Sequence, residues 1–527
     1  MADDIKQKAA SGMVWTSIQK FAGMGISFIS GIILARLLTP EDYGCIGMLS
    51  IFMLIAGSFV DGGFASALIQ KKRPTQEDYS TIFFFNLGMS IVMYAILFFS
   101  APAIARFYKM PLLCSVLRVQ GLVLIINAFS IIQSNQLRKQ LRFKKLAIVT
   151  LSASFISIVV TIYMAYNGFG VWALVASNIL AAFIPAIVYW LTNKWYPLFV
   201  FSKKSFKELF NFGFFMFLSN LINVFCNNIQ GLLIGRLYNP ATMGYYSKAK
   251  STEEMASTSI SDILGRVTYP VFAEYQNDKK MLVSAIKRMT LVVAYITSPM
   301  MFLLMLLAKP IFILLYSERW IDSVPYFQIL CFAGIAACLQ VFNYNAIAAI
   351  GKSRITFRWT IIKRVVGICF IVAGLVLWGL KGLLVGMVLS SWFIYFVNVF
   401  LCDKYVGYKF MDQVKDLAPI LILSIASTIV PFGLSFVLTS LNMYLIAVIQ
   451  LVVFIILYFG GSALFKMEGY HCFMENLPLL LGKVKKKNIE FCFVAFLYKL
   501  ACCQIKSEVR VQQSLSQTLI KQINKAN

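Results

Sequence analysis

Charged side chains inside apolar runs are the residues of this sequence best placed to do chemistry. The stretch 244–270 holds Lys248, Lys250, Glu253, Glu254, Asp262 and Arg266. Lys or Arg in such a setting can bind anionic oxygens, and a carboxylate can carry a proton or a cation. Lys250 and Arg266, with Lys248 beside them, are the first candidates to hold an anionic substrate. Glu254, Asp61 and Asp262 are candidates to couple an ion. At 1.5 Å per residue, Lys20 lies about 12 Å into its apolar run, and Asp61 sits at the end of another beside Gly62-Gly63. Arg36 and Arg236 each lie about one turn before a loop. Each of these residues also has a plainer role open to it. Lys250 and Glu254 stand at i, i+4 and can neutralise one another. Lys20, Arg36 and Arg236 can snorkel to a membrane surface, and Asp61 can be a solvated helix end or mark a helix break.

Other chemistries are poorly served. His471 is the one histidine, which argues against a Ser–His hydrolase or a histidine-ligated zinc site. Gly351-Lys352-Ser353 ends like a phosphate-binding loop, but Ala346 stands where the upstream glycine is required. The eleven Cys are scattered, and Cys226, Cys331 and Cys338 read as buried thiols rather than a disulfide framework. No cofactor is expected, beyond H+ or Na+ as a coupling ion.

The elements that position the charged groups are membrane-length helices. The chain has 527 residues, is 59% hydrophobic and 13% charged, and carries a net charge of +26. Runs of about 18 apolar residues or more read as membrane spans. Fourteen are expected, from 12–36 to 443–465, with the charged 242–270 as the eighth. The runs lack the period-2 alternation of a barrel. One set of loops carries clusters such as Lys71–Arg73, Arg138–Lys145 and Lys203–Lys207, then Lys279–Arg288, Lys352–Arg364 and Lys404–Lys415. The opposite loops offer Arg106, Lys109, Lys309, Arg319 and Lys381. The basic excess therefore reads as topology rather than nucleic-acid binding, and it places both termini in the cytoplasm. The basic loops can also attract anionic headgroups of membrane lipid. The short polar stretch 1–8 before a full span is not that of a cleaved signal.

A motif recurs 200 residues apart. Arg36-Leu37-Leu-Thr-Pro40-Glu-Asp-Tyr-Gly44 matches Arg236-Leu237-Tyr-Asn-Pro240-Ala-Thr-Met-Gly244. Upstream, Lys20, Gly23, Ser27 and Ser30 align with Asn220, Asn223, Asn227 and Gln230, which puts small or polar groups on one face of each helix. Lys20, Asn220 and Asn227 are therefore expected to line a polar space. Six spans per half make the repeat parallel, related by an axis along the membrane normal. The expected divisions are 1–200 and 201–407 for the two six-helix halves, 408–466 for two further helices, and 467–527 for a basic tail. Within that tail 489–503 is too short to span comfortably and reads as an interfacial helix or one that packs on the bundle.

Six plus six plus two helices, Ala35–Gly44, Leu315-Tyr316-Ser317-Glu318-Arg319-Trp320 and Pro325–Leu330 together resemble the multidrug/oligosaccharidyl-lipid/polysaccharide (MOP) exporter superfamily. Within it the chain resembles the Wzx-type polysaccharide or O-antigen flippases, over about 5–465. The resemblance implies a transporter, not an enzyme, in a bacterial inner membrane. It would move polyprenyl-diphosphate-linked oligosaccharide outward by alternating access through a cationic central cavity. Polysaccharide polymerase and chain-length machinery would be its partners. Arg36 and Arg236 would meet the diphosphate at the outer mouth. A multidrug/cation antiporter of the same superfamily is the first alternative, and a membrane polysaccharide polymerase or ligase the second. The intramembrane lysines disfavour the former, and the short outer loops the latter.

Overall fold

The computed structural model describes residues 2–193, 195–438 and 440–481; of the basic tail expected over 467–527, the part up to 481 is described and the remainder lies outside the described residues. Among the described residues every regular element is helical. In chain order they are α1 (Ala2–Leu37), α2 (Pro40–Asp61), α3 (Phe64–Gln70), α4 (Gln76–Phe107), α5 (Leu112–Gln120), α6 (Leu122–Lys139), α7 (Phe143–Tyr166), α8 (Val171–Asn193) and α9 (Lys203–Leu237). There follow α10 (Pro240–Glu274), α11 (Lys279–Leu306), α12 (Ala308–Tyr316), α13 (Val324–Ala349), α14 (Ser353–Val406), α15 (Phe410–Val437), α16 (Met443–Leu464) and α17 (Glu468–Leu481). Among the described residues, twelve helical stretches are long and apolar enough to cross a membrane. The all-α polytopic reading is thereby borne out.

Two differences from that count have physical causes. α14 is written as one helix, but Trp378 (φ −134°, ψ 19°) and Gly379 (φ 61°, ψ −140°) break it where the sequence places the loop between the eleventh and twelfth spans. α10 is a single helix of 35 residues, about 50 Å long. Its charges keep it out of the apolar set, as its composition predicts.

The chain forms two compact units: 1–248 with 313–322, and 249–312 with the chain from 323. In the first, α7 packs on α1 and α8, α6 on α4 and α8, and α2 on α9. Basic residues of its loops are tied into the structure. Lys139 Nζ donates to the carbonyls of Leu68 (2.9 Å), Ile69 (3.2 Å) and Lys71, closing the C-terminus of α3. Lys71 pairs with Asp78 and Glu208, each at 3.0 Å. In the second unit α11 is central, packed on α13, α15 and α17. Lys287 on α11 reaches Asp416 (3.3 Å) and Glu468 (2.9 Å), and Tyr458 donates to the Tyr295 carbonyl at 2.9 Å. Cys331 and Cys338 are buried free thiols as expected, whereas Cys226 is only half-buried.

Candidate functional site

The recurrent motif forms two helix corners, and each is built the same way. Pro40 and Pro240 occupy the first positions of α2 and α10, where proline's missing N–H costs nothing. In the first corner Thr39 accepts from the Asp42 N–H and Asp42 Oδ2 accepts from the Thr39 N–H (2.9 Å), a closed capping box. In the second, Asn239 Oδ1 accepts from both the N–H and the hydroxyl of Thr242 at 2.7 Å. The motif glycines are packing residues. A Cβ on Gly44 would strike the Pro240 carbonyl, and a Cβ on Gly244 the Pro40 carbonyl, so the two corners sit back to back. The residue that opens each helix is thus the proline, and the glycine four positions on lets the other corner approach.

The segment Leu314–Trp320 docks on the first corner. Arg36 Nε donates to the Leu315 carbonyl (3.0 Å) and Nη2 to that of Leu314, so Arg36 closes the end of α12. Trp320, fully buried, donates Nε1–H to the Ala35 carbonyl at 2.8 Å. Lys248 is buried beside them. Its Nζ lies 4.0 Å from the Tyr316 ring centroid, 5.3 Å from Tyr43 and 5.8 Å from Trp320, and donates to the Gly31 carbonyl at 2.9 Å. Arg236 donates to the Phe107 carbonyl (2.7 Å) with its guanidinium over the Phe107 ring.

A cavity of about 730 Å³ opens within the first unit, lined by α2, α6, α8, α9 and the end of α5. It runs along α2 from Ile46 to Asp61, where the helix breaks. Gly62 (φ 54°) and Gly63 (φ 74°) take left-handed conformations that other residues adopt at a cost. A Cβ on Gly63 would also meet the Gly213 carbonyl on α9. Asp61 is the last residue of α2, directly before the break. The polar lining is Ser50, Ser58 and Asp61 from α2, Gln120, Asn127 from α6, Asn178 from α8 and Asn220 from α9. Asn220 Nδ2 donates to Ser58 Oγ at 3.3 Å, and Gln120 Oε1 is buried with no hydrogen-bond partner. Such a lining offers amide donors and acceptors and one carboxylate within apolar walls. It suits a neutral molecule rich in hydroxyl groups.

Of the residues read from the sequence, Asp61 and Asn220 line this cavity, and Lys20, Asn227, Arg36, Arg236 and Lys248 do not. Lys20 is half-buried on α1 and Asn227 is exposed on α9. Lys250 and Glu254 form the expected ion pair, at 3.8 Å, with the Glu254 side chain half-exposed. The side chains of Asp262 and Arg266 lie outside the described residues. Sequence reasoning missed Gln120, Asn127 and Asn178, which belong to no repeated motif. It also passed over Glu253, which is 7% exposed although its neighbour Glu254 is not buried. Helical spacing could not single it out, because Ser257 stands one turn further on from Glu253 and Glu254 alike.

Helices of this length and apolarity around a polar cavity define a multi-pass membrane protein with a polar space among its helices. The chain belongs to the polysaccharide biosynthesis protein family, which it matches over residues 33–325. It is 27% identical to the teichuronic acid biosynthesis protein TuaB of Bacillus subtilis over 357 residues, 67% of this chain and 74% of TuaB. It is 24% identical to the lipopolysaccharide biosynthesis protein WzxC of Escherichia coli over 446 residues, 82% of this chain and 89% of WzxC. Among solved structures, the lipid II flippase MurJ in an inward closed conformation superposes with a TM-score of 0.68 at 14% identity, covering 85% of this chain and 98% of MurJ. That likeness shows a shared fold. The relation to polysaccharide exporters read from Ala35–Gly44 and Leu315–Leu330 is borne out.

Proposed function

We propose that this protein is a flippase that moves polyprenyl-diphosphate-linked oligosaccharide from the inner to the outer leaflet for surface polysaccharide synthesis, by alternating access. The observation that carries the reading is the amide-lined cavity of the first unit in a chain of this family. A glycan must leave water to cross a bilayer, and each unpaired hydroxyl would be costly there. Ser58, Gln120, Asn127, Asn178 and Asn220 can replace part of that lost water. The named functions of the relatives support a role in polysaccharide biosynthesis. In this reading α10 and the two arms of α14 complete fourteen spans, and two six-helix halves, 1–200 and 201–407, are related by a parallel pseudo-two-fold. Residues 408–466 then form the two extra helices. The protein lies in the bacterial inner membrane with both termini in the cytoplasm. Lys250 and Arg266 meet the diphosphate, Asp61, Glu254 and Asp262 are the acidic candidates for H+ or Na+ coupling, and a polysaccharide polymerase takes the product.

The test is translocation by the purified protein in vesicles, scored as lipid-linked oligosaccharide newly exposed to an impermeant glycosidase. Asn220→Leu and Asn178→Leu should each slow the initial rate about tenfold or more, since one lost buried hydrogen bond costs about 1.5 kcal/mol. Wild-type rates in both variants would remove the glycan from this cavity. A second reading has one observation in its favour. Asp61 is the single charged residue of the lining, which suits an organic cation. Efflux of a cationic dye, abolished by Asp61→Asn without any effect on glycolipid translocation, would establish that reading instead.

A further inference from the structure

The second unit contains a buried carboxyl group that none of the roles above uses. Glu253, on α10, is 7% exposed, and its Oε1 is buried with no hydrogen-bond partner. The carboxyl group is seated on α13 at Gly334. A Cβ there would collide with Glu253 Oε1, so the glycine leaves the space the acid fills. Met301 Cε of α11 approaches the same point. The titratable and charged groups around it are few. On its own helix Lys250 and Glu254 are nearby, and Ser257 reaches the carboxyl group. Lys250 is drawn to Glu254 in the 3.8 Å pair. On α13 the facing titratable groups are the thiols of Cys331 and Cys338. Cys338 is itself tied to α10, with Sγ 3.5 Å from the Ser257 carbonyl and 3.6 Å from Ser261 Oγ.

Ionised carboxylates are rarely buried without a cation or several donors. A hard metal cation would need a shell of oxygen ligands, and here the free oxygen faces glycine, a methionine methyl and thiols. A proton needs one oxygen and no shell. We propose that Glu253, seated between Gly334, Met301 and Cys331 of the second unit, is a proton-binding site that is occupied when α10 packs on α13 and α11 as seen here. This rests on the transporter reading for its use, since proton occupancy linked to one packing of α10 lets a pH gradient bias one state over another. In the step itself a water-borne proton binds Oε1, one O–H bond forms and the side chain goes from −1 to neutral. Opening of the α10–α13 contact to water returns it. Glu254, the neighbouring candidate named from the sequence, is half-exposed.

The full-length protein in lipid nanodiscs tests this by infrared difference spectroscopy near neutral pH. The wild type should show a carboxylic-acid carbonyl band that shifts in D2O. Glu253→Gln, an isosteric change, should lose that band, and Glu254→Gln should retain it. Gly334→Ala keeps the acid but pushes a methyl group against Oε1, so the band should shift or weaken. Identical wild-type and Glu253→Gln spectra in the acid region, with melting temperatures matched, would overturn the proposal. In vesicles, a pH gradient should accelerate glycolipid translocation by the wild type and not by Glu253→Gln. Equal acceleration in both would also overturn it. Absence of translocation by the wild type would sink the transport reading while the infrared result still decides the proton site.

Discussion

Alanine at either motif glycine should separate the two helix corners, and the geometry fixes how the costs combine. A Cβ at Gly44 meets the Pro240 carbonyl and a Cβ at Gly244 meets that of Pro40. Restoring an ordinary carbon–oxygen approach of about 3.3 Å means opening the contact by on the order of an ångström. The obstacle is backbone at the first turn of a helix, so no side-chain rotation relieves it. Overpacking of this kind costs about 1–3 kcal/mol, and opening the contact forfeits a quarter to a half of the local dispersion energy. The usual helical gain of alanine over glycine does not offset this, because helices separated within a bilayer stay helical. Each variant should therefore lose about 2 kcal/mol, roughly a 30-fold shift in the unfolding equilibrium. The double variant should lose less than the sum, because both methyl groups open one shared contact. Gly25→Ala is the control, with nothing within 4 Å of the added Cβ. Unfolding equilibria of the four proteins in bicelles provide the measurement. Stabilities of both single variants equal to the Gly25→Ala control would refute the back-to-back corners. Strict additivity would refute the shared contact.

Two further outcomes follow from the packing. Trp320→Phe should lose about 1–2 kcal/mol, because the buried Ala35 carbonyl is deprived of its 2.8 Å donor while the aromatic packing is largely kept; an unchanged melting temperature would show that water replaces the indole. For sidedness, single Cys probes at Asn277 and Lys409 should resist an impermeant thiol reagent added to whole cells lacking other Cys, and probes at Glu41 and Asn442 should react. All four positions are exposed, so protection would report the membrane and not burial, and labelling at 277 would mean that α10 does not cross.

The residues themselves determine a good deal of this protein. Period and length give the helices, because a bilayer leaves a chain few other ways to satisfy its backbone. The proline after Leu-Leu-Thr and Leu-Tyr-Asn ends α1 and α9 on steric grounds alone. Uneven Lys and Arg in the loops orient the chain, and the 200-residue spacing of Arg36–Gly44 and Arg236–Gly244 announces two equivalent corners. Asp61 with Gly62-Gly63 announces a helix break. The partners across space were decided by tertiary packing. Consecutive helical residues point about 100° apart, but the charged run on α10 could not say that Glu253 is the buried one and Glu254 half-exposed; the gap left by Gly334 on α13 says so. The cavity draws Asn127, Asn178 and Asn220 from three helices that share no motif. Lys248 faces Tyr43 and Tyr316, far away in sequence, and a cation on an aromatic face is an attraction that spacing along one chain does not encode.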